Sequence, residues 1–381
     1  MDFELNEEQR LVRTMVRDLA QSEFAPRAAE VDKSEEFPAD NIRQLAELDL
    51  MGLPYPEAYG GGGGDYFSYA LAVEEIARAC GSTALIYAAH ISLGCGPIYY
   101  FGTEEQKQKW LPRLCRGQGL GAFGLTEPEA GSDAGATRTI ATRDGEDFVL
   151  NGSKMWITSG AIADIVTCTA KTDPEAGTRG ITCFLVEKGM PGFVPGKNEP
   201  KMGLKGSVTS ALSLENCRVP AQNILGKEGE GFRQMLITLD AGRISIAAMA
   251  LGLAQAAFDE ATRYAKERVQ FNQPIAKFQA IQWMIADMAT EIDAARLMVY
   301  RAAAMKDAGK RFTKEAAMAK LFASEVAERA AFKAVQIHGG YGYSREYPVE
   351  RIYRDQRLCT IGEGTSEIQR LVIARQVLGK L

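Results

Sequence analysis

The chain reads as mainly α with a central β domain. It divides into an N-terminal helical domain over residues 1–121, a small β-barrel or sandwich over 122–226, and a C-terminal four-helix bundle over 227–381. Three observations predict this. Apolar residues in the first and last thirds recur at helical spacing. The middle third carries short β-prone runs separated by turn signals. Near the C-terminus, long helical segments are joined by short connections, as in antiparallel bundles.

Taken in order, Leu11, Val12, Met15, Val16 and Leu19 mark one face of a first helix, and helical patterns also cover 42–50 and 70–79. Gly60 to Gly64 form either a flexible surface loop or a place where backbone nears a ligand. Trp110, Leu111 and Leu114 close the helical region. Residues 148–158 read as two strands around an Asn151-Gly152 hairpin turn. Short β runs follow at 165–169, 181–186 and 212–214. Helices are predicted over 235–267, 281–306 and 314–337, the last stopped by His338-Gly339-Gly340. A helix over 366–381 completes the bundle, with Ser366 and Gln369 at capping-box spacing and Ile368, Leu371, Val372 and Leu378 on an apolar face.

Composition excludes several function classes. The 381 residues are 46% hydrophobic and 24% charged, ordinary for a globular chain with ample core. A formal net charge of -5 argues against nucleic acid as the main partner. With two histidines, His90 and His338, and no HExxH, a His-rich metal site is not expected. No GxSxG elbow supports a serine hydrolase. Seven scattered cysteines without a CxxC pair read as reduced thiols in a cytoplasm. The start, Met1 to Leu5, shows no secretory signal, and the lack of a run of 18 apolar residues predicts no membrane span.

The strongest chemical feature is Gly362-Glu363-Gly364-Thr365-Ser366, one glutamate between two glycines just before a helix start. That placement suits a base that removes a proton next to a carbonyl, with its own N–H facing the ligand. Read alone, such a Gly-Glu-Gly step is more often a solvated loop. Gly119 to Gly124 matches GxGxxG, but Leu125-Thr126-Glu127-Pro128 cannot open the helix that a dinucleotide turn requires. Thr126 and Ser132 offer donors to a polar ring edge or a phosphate. Trp156 suits stacking on a flat cofactor or a place in the core, and the Thr158 hydroxyl suits a hydrogen bond to a ring nitrogen. Arg268 suits a pyrophosphate or a helix C-terminus. His90 reads as buried.

Together, Leu125-Thr126-Glu127-Pro128, Ala130-Gly131-Ser132-Asp133, Asn151-Gly152-Ser153-Lys154, Trp156-Ile157-Thr158, Arg268 with Gln270-Phe271, Gln336 to Gly342, Tyr353-Arg354-Asp355 and Gly362 to Glu367 occur in one order. In that combination the chain closely resembles the acyl-CoA dehydrogenase family, nearest its short-chain bacterial members, over essentially its full length. The resemblance implies one FAD per subunit and a homotetramer built as a dimer of dimers. It implies that Leu125, Thr126, Trp156 and Thr158 hold the isoalloxazine ring and that Ser132 touches the FAD pyrophosphate. Arg268, Phe271 and Gln279 would reach the FAD of a neighbouring subunit. Gln336 and Gly340 would contact its adenine-nucleotide portion, and Thr365 and Glu367 would close the site. Asp240 and Arg243 look like the CoA-contacting pair, and Ser132, Gly362 and Gly364 like further substrate neighbours.

The implied reaction is α,β-dehydrogenation of an acyl-CoA thioester. Glu363 takes the α-proton, the β-hydrogen leaves as hydride to flavin N5, and electrons pass to electron-transfer flavoprotein. An α-proton of a thioester is a weak acid, so the implied apparatus includes a Glu363 N–H and an FAD ribityl hydroxyl on the thioester oxygen, and a desolvated base. Many family members carry tyrosine before this glutamate; here Gly362 stands there. That predicts a wider acyl pocket for a branched or cyclic short acyl group, or else a glycine that relieves backbone strain. Branched-chain members take their base from the long helix, where this chain has Gly242. Ile91 is apolar where unusual members place a second acid–base group, which predicts simple 1,2-elimination. The alternatives are a relative that hands electrons to O₂ and a non-catalytic flavin-binding assembly protein.

Overall fold

The computed structural model describes residues 4–379, so Met1 to Phe3 of the expected signal-free start lie outside the described residues, as do positions 380 and 381 of the predicted last helix. Helix α1 (Glu7–Leu19) starts at Asn6, whose side chain accepts from the Gln9 N–H in a capping box. Val16 faces inward, whereas Leu11 and Met15 of the predicted apolar face are exposed. The face is wider than the neighbour that covers it. Helices α2 (Ala25–Ser34) and α3 (Ala39–Glu47) follow. The next helix, α4 (Tyr66–Ala79), is buried along almost its whole length. Helices α5 (Gly81–Ala89), α6 (Gly96–Phe101) and α7 (Glu104–Cys115) complete the region, and Trp110, Leu111 and Leu114 are buried as expected.

The five-glycine run is tied down by backbone hydrogen bonds rather than left as a free loop. Gly62 N–H donates to Gly52 O at 3.1 Å, Gly63 to Tyr55 O at 2.9 Å and Gly64 to Leu53 O at 2.9 Å. Bare backbone packs here against backbone.

The β region contains β1 (Gly121–Gly124), β2 (Ile140–Asp144), β3 (Asp147–Thr158), β4 (Ile165–Lys171), β5 (Ile181–Glu187), β6 (Phe193–Asn198), β7 (Thr209–Pro220) and β8 (Ile224–Leu225). The order is β6-β7-β3-β2-β4-β5-β8, with β1 parallel to β4. Its core holds Phe148, Leu150, Phe184, Leu212 and Val219. Among the described residues the end strands β6 and β8 do not pair, so hydrogen bonding does not close a barrel. The predicted Asn151-Gly152 hairpin is absent. Both residues lie inside β3, at an irregularity in its pairing with β7. Asn151 Oδ1 accepts from Asn216 N–H at 2.8 Å, which ties it across the sheet. The hairpin turn instead falls at Gly145, φ +63°, between paired Asp144 and Asp147.

Helices α8 (Gly231–Glu267), α9 (Gln279–Asp307) and α10 (Thr313–His338) form the expected bundle, and α12 (Ser366–Leu378), reached through α11 (Val349–Asp355), packs on α10. The α4 helix also packs on α8, so one core joins both helical regions. An 18-residue stretch of α8 has mean hydropathy 1.5, long and apolar enough to cross a membrane, yet 78% of it is buried inside the protein. Core packing accounts for its composition. The cap of α12 is Thr365, not Ser366: its side chain accepts from Ile368 N–H at 3.3 Å. The predicted apolar face of this helix is largely uncovered, with Leu371 at 51% and Leu378 at 62% exposure.

Candidate active site

Glu363 has φ +53° and the following Gly364 has φ +94°. Two successive left-handed residues reverse the chain before α12 and turn the Glu363 side chain inward. The carboxyl Oε2 is buried without a hydrogen-bond partner. Burial pushes its pKa up to about 7, against the opposing pull of Lys320 and Arg243. Among the described residues its amide N–H also meets no backbone acceptor. The carboxyl lies directly on α8 at Gly242, where an added methyl would stand 2.8 Å from Glu363 Cδ and nearer still to Oε2. The loop glutamate and the helix position that the sequence singled out therefore address one spot, and glycine on the helix leaves room for the loop side chain.

Around the carboxyl stand mostly buried groups. Arg243, 4% exposed, donates from Nη1 to Asp240 Oδ1 at 2.5 Å, while its buried Nε has no partner. Asp240 Oδ2 accepts from Thr313 Oγ1 at 2.6 Å. Lys320 donates from Nζ to Gly364 O at 2.7 Å, and Gln369 Nε2 donates to the same oxygen at 2.9 Å. Sequence reasoning passed over Lys320. The signal was its place on the alanine-rich face Ala316, Ala317, Ala323 and Ala327, which enters the core. Buried Tyr66 and Tyr69 on α4 also feel the Glu363 charge.

Gly362 lies outside the left-handed region. A methyl there would meet Leu358 Cγ at 3.5 Å, ordinary contact. Relief of backbone strain therefore does not account for this glycine. Ile91 is buried and apolar, and His90 is buried as expected, with its pKa lowered to about 4 by burial.

A second group of predicted residues collects on the β region. Trp156 stands at φ +62° beside an irregularity of β3 and is 56% exposed, so it is not a core tryptophan. Met155 N–H donates to Thr126 O at 2.8 Å, which draws the Leu125-Thr126 loop to the tryptophan strand. Leu125, Thr126 and Thr158 are partly exposed, and Ser132 is exposed on the same loop. Beneath them buried Glu127 accepts from the buried Lys154 Nζ at 2.6 Å and Thr139 Oγ1 at 2.6 Å, and from the Arg138 N–H at 2.6 Å. No helix follows Gly124, in keeping with the rejected dinucleotide turn.

A third group lines a cavity of about 660 Å³ that includes Arg268, His338, Gly340 and Tyr341. Arg268 lies over the Tyr341 ring at 5.4 Å, and among the described residues no carboxylate pairs with it. His338 Nε2 is buried without a partner. Gln336 and Gly340 are exposed, Gln279 is exposed at the start of α9, and Phe271 is 86% exposed. Thr365 and exposed Glu367 stand at the mouth of α12. An exposed indole on the strand that also carries Thr158 suits a flat heteroaromatic ring. A guanidinium without a carboxylate partner, sharing a cavity with exposed Gly340, suits a phosphate. These are the donor sets that a flavin dinucleotide needs.

Comparison with known proteins adds to this geometry. Sequence profiles described as acyl-CoA dehydrogenase N-terminal, middle and C-terminal domains match residues 6–118, 122–217 and 229–378. The chain is 58% identical over 379 residues to the probable acyl-CoA dehydrogenase YngJ of Bacillus subtilis, covering 99% of this chain and 100% of that one. It is 50% identical to the short-chain specific acyl-CoA dehydrogenase of Clostridium acetobutylicum over 377 residues, 99% and 100% of the two chains. Among solved structures, butyryl-CoA dehydrogenase from Megasphaera elsdenii superposes with TM-score 0.97 at 47% identity, over 99% and 100% of the chains. A chain solved in work on the electron transferring flavoprotein of Acidaminococcus fermentans gives 0.98 at 49% over both full lengths. An acyl-CoA dehydrogenase from Bacillus anthracis complexed with FAD gives 0.92 at 36%, over 98% of this chain and 67% of that one. With the helix–β–helix architecture, the inward glutamate and three successive matching profiles, this chain belongs to the acyl-CoA dehydrogenase family.

Proposed function

We propose that the protein oxidises a short acyl-CoA thioester to the 2-enoyl-CoA, with Glu363 as the base for the α-proton and electron-transfer flavoprotein as the physiological acceptor. The observation that carries this reading is the Glu363 carboxyl, buried against Gly242 and titrating near 7. A base with a pKa near the working pH is ionised often enough and basic enough to move a carbon-bound proton. The cofactor is FAD, which when bound supplies the two-electron sink for the β-hydrogen.

The chain's own residues do the rest. Arg243 and Lys320 hold positive charge near the carboxyl without forming an ion pair with it, so its oxygens stay available to substrate. The unclaimed Glu363 N–H is a donor for the thioester oxygen as enolate charge develops; one such donor is worth about 10²–10³ in rate. Leu125, Thr126, Trp156 and Thr158 present the surface for the ring, and Ser132 a hydroxyl for the pyrophosphate. Arg268, Gln336 and Gly340, with Phe271 and Gln279, serve the nucleotide portion across a subunit boundary. Thr365 and Glu367 close the site. Asp240 and Arg243 meet CoA, Asp240 from its more open side. A homotetramer supports this division of labour, since Phe271, Trp283 and Leu378 are each more than 60% exposed. Seven free, buried thiols support a cytoplasmic location.

Because Gly362 is unstrained, its lack of a side chain supports a pocket open to branched or cyclic short acyl groups. Anaerobic titration of the FAD-loaded protein with a panel of acyl-CoA thioesters tests the proposal. Bleaching of the flavin by short thioesters is expected, and failure of every acyl-CoA to bleach it would overturn the assignment.

A further inference from the structure

Lys320 is a buried lysine in the first half of α10, with 0% exposure. Among the described residues no carboxylate forms an ion pair with it. Its Nζ reaches Gly364 O at 2.7 Å, and Gln369 Nε2 reaches both that oxygen and Glu363 O, the latter at 3.2 Å. These two side chains clamp the backbone at the two left-handed residues, one of which is not glycine and resists that conformation. The charged and titratable groups facing Lys320 come from every neighbouring element: Cys359 and Glu363 before α12, Arg243 on α8 and Glu367 on α12.

An unpaired buried ammonium is expensive, and an apolar side chain of similar length is normally the more stable choice. Burial lowers the Lys320 pKa to about 8, so it still carries its proton at neutral pH. A cost of that kind, placed at the carbonyl next to the base, calls for a functional return.

We propose that Lys320 is the positioning residue of the base: through the Gly364 carbonyl it holds the Glu363 turn in its left-handed form, and it sets an uncompensated positive charge beside the carboxylate. The proposal rests on the reading of Glu363 as the base. Removing the cation raises the carboxyl's pKa, so the acid limb of the pH profile moves to higher pH. Losing the anchor lets the carboxyl wander, and a misplacement of about 1 Å costs roughly 10²-fold in rate.

The test uses FAD-loaded Lys320→Met and Lys320→Gln, with kcat and KM measured across pH beside the parent and Glu363→Gln. Lys320→Met should lose about 10²-fold in kcat with KM within about threefold, and its kcat/KM limb should rise by about one pH unit. Lys320→Gln keeps a donor for Gly364 without the charge. It should return to within about tenfold of the parent kcat while its limb stays displaced upward. Should Lys320→Met fail to fold, the limb of Lys320→Gln decides alone. An unmoved limb in a folded variant overturns the proposal, as does a fall in kcat that only tracks loss of FAD and melting temperature. Near-parent kcat in Glu363→Gln would instead overturn the base assignment. An inactive Glu363→Gln with unaffected Lys320 variants sinks the Lys320 role alone.

Discussion

Replacing Gly242 with alanine adds one methyl group at the point where α8 meets the base. That methyl would stand 2.8 Å from Glu363 Cδ, with Oε2 closer. To reach an ordinary 3.4 Å contact the carboxyl carbon must retreat by about 0.6 Å and the oxygen by more. Displacement on the order of 1 Å from the substrate's α-carbon costs about 10²-fold in kcat, or about 2.7 kcal/mol of barrier. The fold should tolerate the change. Overpacking costs about 1–3 kcal/mol, offset by about 1 kcal/mol from replacing glycine inside a helix. The assay is acyl-CoA-dependent reduction of an artificial acceptor by the FAD-loaded variant, read with its flavin content and melting temperature. A folded, flavin-loaded Gly242→Ala with kcat within about threefold of the parent would refute the reasoning, because the carboxyl would then not work where the structure puts it.

Further expectations concern pH, specificity and the cofactor platform. In the parent, kcat/KM should fall on acidification through about pH 7, because Glu363 must be ionised to act and its pKa lies there; a limb near 4.5 would contradict its burial. The same shift has a stability cost. The folded-state pKa is raised, so the contribution is favourable below about 4.5 and lost as pH rises through about 7. Glu363→Gln should therefore melt higher than the parent at pH 8, by up to about 3 kcal/mol, with the gap closing at pH 5; equal gaps at both pH values would refute this. Gly362→Tyr should lower activity on branched and cyclic thioesters relative to butyryl-CoA, and an unchanged ratio rejects the pocket reading. Lys154→Met should cost about 3–5 kcal/mol by orphaning buried Glu127, and should weaken FAD retention through the Thr126 loop; unchanged melting and flavin content would show that the pair does not support the loop.

Periodicity made the helices legible, because α8, α9 and α10 repeat apolar residues over many turns, and α10 stops at Gly339. Local turn signals were less dependable. Asn151-Gly152 is a strong hairpin pair, yet pairing with β7 keeps the strand running through it, and Asp144-Gly145 makes the turn instead. Thr365 rather than Ser366 caps α12, a one-residue shift that spacing alone does not resolve. The glutamate between glycines was visible as a candidate base. What sequence could not show is that its carboxyl folds back onto Gly242, since that contact joins positions 121 residues apart. For exposed Trp156 a place in the core stood beside the cofactor reading, because a single chain's hydrophobicity does not distinguish its interior from a surface that holds a cofactor or partner.

The most direct measurement mixes FAD-loaded Glu363→Gln anaerobically with butyryl-CoA and follows flavin bleaching against the parent. The amide preserves shape but accepts no proton, so the variant should keep its flavin and bind the thioester while bleaching slows by about 10²–10⁴-fold. Bleaching at the parent's rate would mean that another group takes the α-proton.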